Sequence, residues 1–102
     1  MAILNAAVIG MGVGEKHALA YENHQNIFLK TICDFDQEKL NNLKTKFPNV
    51  SMETNDQSIL ENEDIDIVSI ASYDNFHSNQ IIQALNNGKH VMSEKPLCLT
   101  LE

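Results

Sequence analysis

Three glycines and one acid offer the clearest chemistry in this chain: Gly10, Gly12 and Gly14, and Asp34, which follows the cluster by roughly 20 residues. Glycines at such spacing let the backbone turn sharply and approach a pyrophosphate closely. The phosphate charge then rests on the N-terminus of the helix that follows. A carboxylate beyond the next strand accepts hydrogen bonds from ribose hydroxyls. Gly10-Met11-Gly12-Val13-Gly14 is therefore read as a dinucleotide-binding turn with Asp34 as the ribose acceptor, against the plainer alternative of a simple tight turn.

The flanks decide between these readings. Ala2 to Ile9 is an apolar run of strand length, and Glu15 to Tyr21 reads as a helix. The spacing departs from G-x-G-x-x-G, because position 15 is Glu15 and the third glycine comes one residue early, at Gly14. A carboxylate would repel phosphate, so Glu15 is expected to point away.

The remaining elements repeat the alternation. Phe28 to Cys33 is a second strand. Asp36 caps a helix carrying Leu40, Leu43 and Phe47, closed by Pro48. A short strand falls around Val50 to Met52, and Asp56 caps a small helix with Ile59 and Leu60. Ile65 to Ala71 suits a strand buried on both faces. A helix from about Asn75 to Leu85 presents Ile81, Ile82 and Leu85, with Asn87-Gly88 as its C-cap, and Lys89 to Ser93 is a fifth strand. This is an α/β pattern, a doubly wound parallel sheet (Rossmann-like) of about five strands in one domain, 1–102. Thr100-Leu101-Glu102 resembles a helix start, so the chain is expected to be truncated before its last helix and strand. With strand order 3-2-1-4-5 the fifth strand has an open edge, which invites a second copy and a weak homo-oligomer.

Composition excludes several partners. A net charge of −7 argues against nucleic acid and anionic membranes, which need a basic face. No apolar run approaches the roughly 20 residues of a membrane span, and no signal peptide precedes the first strand. Cys33 and Cys98 are read as reduced thiols, and no cluster has metal-ligand spacing, so a cytoplasmic protein without a metal is expected. All seven basic residues are lysines. With no guanidinium to clamp a 2′-phosphate, and with Asp34 to repel one, NAD is expected over NADP.

Gly88-Lys89-His90-Val91-Met92-Ser93-Glu94-Lys95-Pro96-Leu97 closely resembles the G-K-H-V-x-x-E-K-P-L segment of the Gfo/Idh/MocA oxidoreductases. Ser72 to His77 is similar to that family's T-P-N-x-x-H loop, with Tyr73 and Asp74 replacing its proline and asparagine. Gly10 to His17 matches the variant G-x-G-V-G-E-x-H. The resemblance spans the whole chain and implies the cofactor half of a dehydrogenase acting on a sugar, polyol or related secondary alcohol. Its substrate domain, which usually supplies an Asp and a His for proton transfer, is not in these residues.

The resemblance assigns Lys95 the catalytic part, stabilising an alkoxide as hydride leaves an alcohol. Lys95 stands two positions beyond Ser93, at a strand end where ligands of such sheets gather. Glu94 either holds Lys95 or binds the nicotinamide ribose, and Pro96 confines Lys95 to extended geometry. The resemblance also places cofactor contacts at Ser72 and Tyr73. His77 is either a loop anchor near the cofactor or a structural helix-start histidine, while His17 is expected to pack behind the glycine turn. Two other classes stand beside the dehydrogenase. One is an NAD(H)-sensing module without chemistry. The other is a Rossmann-type reductase of amino-acid biosynthesis, which Glu94-Lys95-Pro96 speaks against.

Overall fold

The strand leading into the glycine turn is the centre of the sheet. In the computed structural model, which describes residues 3–12, 14–71 and 74–93, β1 (Leu4–Ile9) lies between β2 (Ile27–Cys33) and β4 (Ile67–Ile70). β3 (Ser51–Glu53) flanks β2 and β5 (His90–Ser93) flanks β4, giving the order β3-β2-β1-β4-β5 with every pairing parallel. The expected doubly wound five-strand sheet is what the chain forms.

Burial explains why β1 is central. Ala6 and Val8 face one core and Ala7 and Ile9 the other, each at most 1% exposed. Helix α1 (Gly14–Glu22) and α2 (Gln37–Leu43) bring Ala18, Tyr21, Leu40 and Leu43 to the first core. Helix α3 (Gln57–Leu60) and α4 (Asp74–Asn86) bring Ile59, Leu60, Ile81 and Ala84 to the second. Both sheet faces are thus covered, as parallel sheets require. In β2 the register with β1 slips between Ala6 and Ala7, leaving Lys30 as the extra residue. This bulge turns Leu29 and Ile32, an odd number of residues apart, into the same core.

Local signals set several boundaries. Asp36 Oδ1 accepts the N–H groups of Glu38 (3.0 Å) and Lys39 (3.3 Å), capping α2 as expected. The helix stops at Leu43, earlier than Pro48 implied, and Phe47 reaches the core from irregular turns. Gly88 has φ 79°, with Lys89 N–H on Ala84 O and Gly88 N–H on Leu85 O, both 3.0 Å. That is a Schellman C-cap, which glycine accommodates without strain.

Two further expectations fail. Asp56 stands at the N-cap of α3 but its side chain caps nothing; Asn55 Oδ1 takes the Gln57 N–H instead. Asp56 accepts from the buried Gln80 amide at 2.8 Å, a stronger demand because an unpaired buried amide is costly. On α4 the inward stripe is Gln80, Ile81 and Ala84, while Ile82 and Leu85 are 56% and 57% exposed. Successive residues are about 100° apart round a helix, so a buried glutamine at position 80 shifts the inward face by one stripe. The expected helix start at Thr100 lies outside the described residues.

Candidate functional site

The residues read as a dinucleotide turn assemble at the carboxyl ends of β1 and β2. Gly10 continues from β1 with φ 91°, a conformation L side chains rarely adopt, and its N–H donates to Cys33 O at 2.8 Å. Met11 is buried, and its backbone N–H donates to Asp34 Oδ2 at 2.8 Å. Asp34 Oδ1 accepts the Asp36 N–H at 2.9 Å. A carboxylate offers about four acceptor sites, so backbone groups occupy one on each oxygen and leave the others for a ligand.

Gly14 explains the early third glycine. It opens α1, and a Cβ there would lie 2.7 Å from Val8 Cγ1 and 3.5 Å from Ala71 Cβ. Only glycine lets α1 start this close to β1 and to the residue after β4. Glu15, next along, forms an ion pair with Lys46, which follows α2, in keeping with a side chain turned from the phosphate position. Gly12 is exposed on the turn, and Lys39 Nζ lies 3.9 Å from where its Cβ would be. The same ammonium is 3.8 Å from Asp34 Oδ2.

Behind the turn, His17 on α1 reaches Ser69 on β4, with Nδ1 and Oγ 3.0 Å apart. Tyr21 OH meets the same Oγ at 2.6 Å. Burial pushes the Tyr21 phenol above its ordinary value of 10.0, partly offset by the Ser69 hydrogen bond. His17 therefore packs where expected, bracing α1 against β4. Sequence reasoning passed over Ser69, Tyr21 and Lys39. A serine inside an otherwise apolar strand was a usable sign of a buried polar partner, and a lysine in the first turn of α2 was a sign of charge near Asp34.

Gly10, Asp34, Ala71 and Ser93 mark the carboxyl ends of β1, β2, β4 and β5, with Ala71 N–H on Ile9 O at 2.8 Å. His77 lies in the first turn of α4. Val13, Ser72, Tyr73, Glu94, Lys95, Pro96 and Cys98 lie outside the described residues. Cys33 is a buried free thiol, which burial first and the charges of Asp56, Asp34 and Glu53 next raise from 9.0 to about 12. It is no nucleophile. Among the described residues no group of three or more His, Cys, Asp or Glu side chains could hold a metal, and no helix is long and apolar enough to cross a membrane. A separate hollow of about 310 Å³ beside β2 and β3, lined by Phe28, Lys30, Thr31 and Glu53 among others, includes none of the turn residues.

Known proteins share this arrangement. Residues 4–102 match the model of an oxidoreductase family with an NAD-binding Rossmann fold, GFO_IDH_MocA. The chain is 36% identical over 101 residues to D-glucoside 3-dehydrogenase of Escherichia coli K12, covering 97% of this chain and 29% of that protein. It is 33% identical over 112 residues to an alpha-N-acetylgalactosaminidase of Shewanella oneidensis, covering all of this chain and 24% of that one. Among solved structures, scyllo-inositol dehydrogenase from Lactobacillus casei with bound NAD(H) and scyllo-inositol superposes with a TM-score of 0.82 at 31% identity, covering 93% of this chain and 28% of that one. The chain thus spans less than a third of each relative's length.

Proposed function

The chain belongs to the Gfo/Idh/MocA oxidoreductase family with its NAD-binding Rossmann fold, and on that premise we propose that residues 1–102 are the cofactor-holding domain of a dehydrogenase that prefers NAD and oxidises a sugar, polyol or related secondary alcohol. The observation that carries this is the Met11–Asp34 hydrogen bond. It holds a carboxylate with spare acceptor sites against a turn whose glycines leave room for a diphosphate. Bound NAD supplies a hydride acceptor. The backbone of Gly10 to Gly14 and the start of α1 hold the diphosphate charge. Asp34 accepts the adenosine ribose diol and repels a 2′-phosphate, which favours NAD.

The remaining roles rest on the sequence motifs. By those motifs Ser72, Tyr73 and His77 would contribute contacts to the cofactor. By the same motifs Lys95 would stabilise the alkoxide oxygen as the C–H bond breaks, with Glu94 assigned to Lys95 or the nicotinamide ribose and Pro96 to restricting the Lys95 backbone. These residues span less than a third of the relatives' length, and we assign the substrate pocket to a domain outside them. A relative named as a galactosaminidase carries the same kind of domain, so the net reaction is fixed outside this part of the chain. Self-association through the β5 edge, where Met92 is half-exposed, is the partner this reading adds.

Calorimetric titration of the full-length protein with NAD tests the reading; absence of saturable binding at millimolar cofactor overturns it. A second readout separates a dehydrogenase from an NAD(H) sensor. Lys95→Ala in that protein should cut turnover by orders of magnitude with NAD affinity nearly unchanged, whereas unchanged turnover favours the sensor.

A further inference from the structure

We propose that the hollow beside β2 and β3 is a second binding site, apart from the dinucleotide turn, for a small zwitterion of the amino-acid type, with Lys30 taking its carboxylate and Glu53 its ammonium. The hollow has a volume of about 310 Å³ and shares no residue with the turn. That volume is at the small end for ligand pockets. Its origin lies in how this face of the sheet is covered. Thr31 and Cys33 alternate onto the face that carries α3 and α4, and they pair with Ser51 and Glu53 of β3. Helix α3 is only four residues long. Its Ile59 and Leu60 pack with Cys33, while Ser58 and Asn62, one turn apart, line the hollow on its helical side.

The polar groups around this space are uncommitted. Thr31 is only 6% exposed, yet its hydroxyl makes no hydrogen bond among the described residues. Buried hydroxyls ordinarily have a partner. No side-chain oxygen sealed from solvent lacks one among the described residues, so Thr31 Oγ1 is open, and the space it opens on is the hollow. The side chains of Lys30, Ser51, Glu53 and Ser58 likewise make no hydrogen bond or ion pair among the described residues. The helical wall, by contrast, is fixed. Asn62 Oδ1 accepts the Asp64 N–H at 2.8 Å, and its main-chain oxygen accepts the Lys89 ammonium.

Charge selects the ligand. Lys30 and Glu53 are both half-buried and opposite in sign. Lys30 precedes Thr31, whose partner Ser51 stands two residues before Glu53, so the two backbones are roughly 10 Å apart along the strands. The Glu53 end is the acidic one, since Asp34 and Asp56 act on the same Cys33 thiol. A lone anion gains Lys30 but meets Glu53, and a lone cation the reverse. A molecule carrying both charges satisfies both ends, with the Thr31 and Ser51 hydroxyls between them. Phe28, 49% exposed, adds an apolar surface for its carbon chain.

Ligand-observed NMR titration of the full-length protein with 5-aminopentanoate, pentanoate and pentylamine tests this, because the three share a carbon chain and differ in charge. 5-Aminopentanoate should bind saturably and about tenfold or more tighter than either single-charge compound. Lys30→Met and Glu53→Gln should each weaken it about tenfold, the scale of one hydrogen bond to a charged group, and Thr31→Val by about two- to tenfold. Lys30→Arg should retain it. The comparison of the three compounds in the parent stands even where a variant fails to fold. Equal affinity for pentanoate or pentylamine, no saturable binding at tens of millimolar, or binding indifferent to both charge-removing variants overturns the inference.

Discussion

The Met11 N–H donates to Asp34 Oδ2 at 2.8 Å, so the turn after β1 and the acid after β2 form one unit. The same side chain that is to take the ribose diol also holds the turn that is to take the diphosphate. Asp34→Ala removes both contributions and should weaken NAD by about 10- to 100-fold, from the loss of hydrogen bonds to a charged group. Asp34→Asn keeps an oxygen for Met11 and should fall between. Calorimetry gives the affinities, and an alanine variant that binds NAD normally would remove Asp34 from the site.

Gly14 carries a packing requirement that is independent of any ligand. The Cβ of Gly14→Ala would press on Val8 Cγ1 at 2.7 Å, and Val8 is β-branched and fully buried. Overpacking of this kind costs about 1–3 kcal/mol, which for a domain of this size lowers Tm by roughly 5–20 °C. A thermal melt measures it. Adding Val8→Ala should make the pair less damaging than the sum of the two single changes. Strict additivity would show that the contact is not what Gly14 serves.

What was legible in the sequence was what neighbouring residues decide among themselves. The glycine turn, the Asp36 cap and the Gly88 C-cap each depend on residues a few positions apart, and each is found where its residue types require. The parallel α/β layout followed from alternation of apolar runs. What depends on distant partners was hidden. Gln80 turns inward because Asp56 waits there, so Ala84 and not Ile82 or Leu85 faces the core. Ser69 is buried with His17 and Tyr21, about 50 residues before it. Lys39 reaches Gly12 only because α2 packs beside the turn.

Cys33 gives the fold a pH signature. Its thiol is raised from 9.0 to about 12, first by burial and then by the charges of Asp56, Asp34 and Glu53. Above pH 9 the unfolded thiol loses its proton while the folded one keeps it, so stability falls as pH rises, by at most about 1.4 kcal/mol per unit. Tyr21, raised from 10.0, adds the same sign at higher pH, and Lys89, lowered from 10.5 mainly by burial, opposes it. Denaturant melts between pH 8 and 10 should show a steeper decline for the parent than for Cys33→Ala. Identical slopes would contradict a thiol held neutral by burial.

The most direct test is a crystal structure of the full-length protein with NAD. The diphosphate should lie along the backbone of residues 10 to 14 at the start of α1, with the adenosine ribose hydroxyls within hydrogen-bonding distance of the Asp34 carboxylate. A coenzyme bound elsewhere, with Asp34 still turned wholly to Met11 and Asp36, would contradict the account.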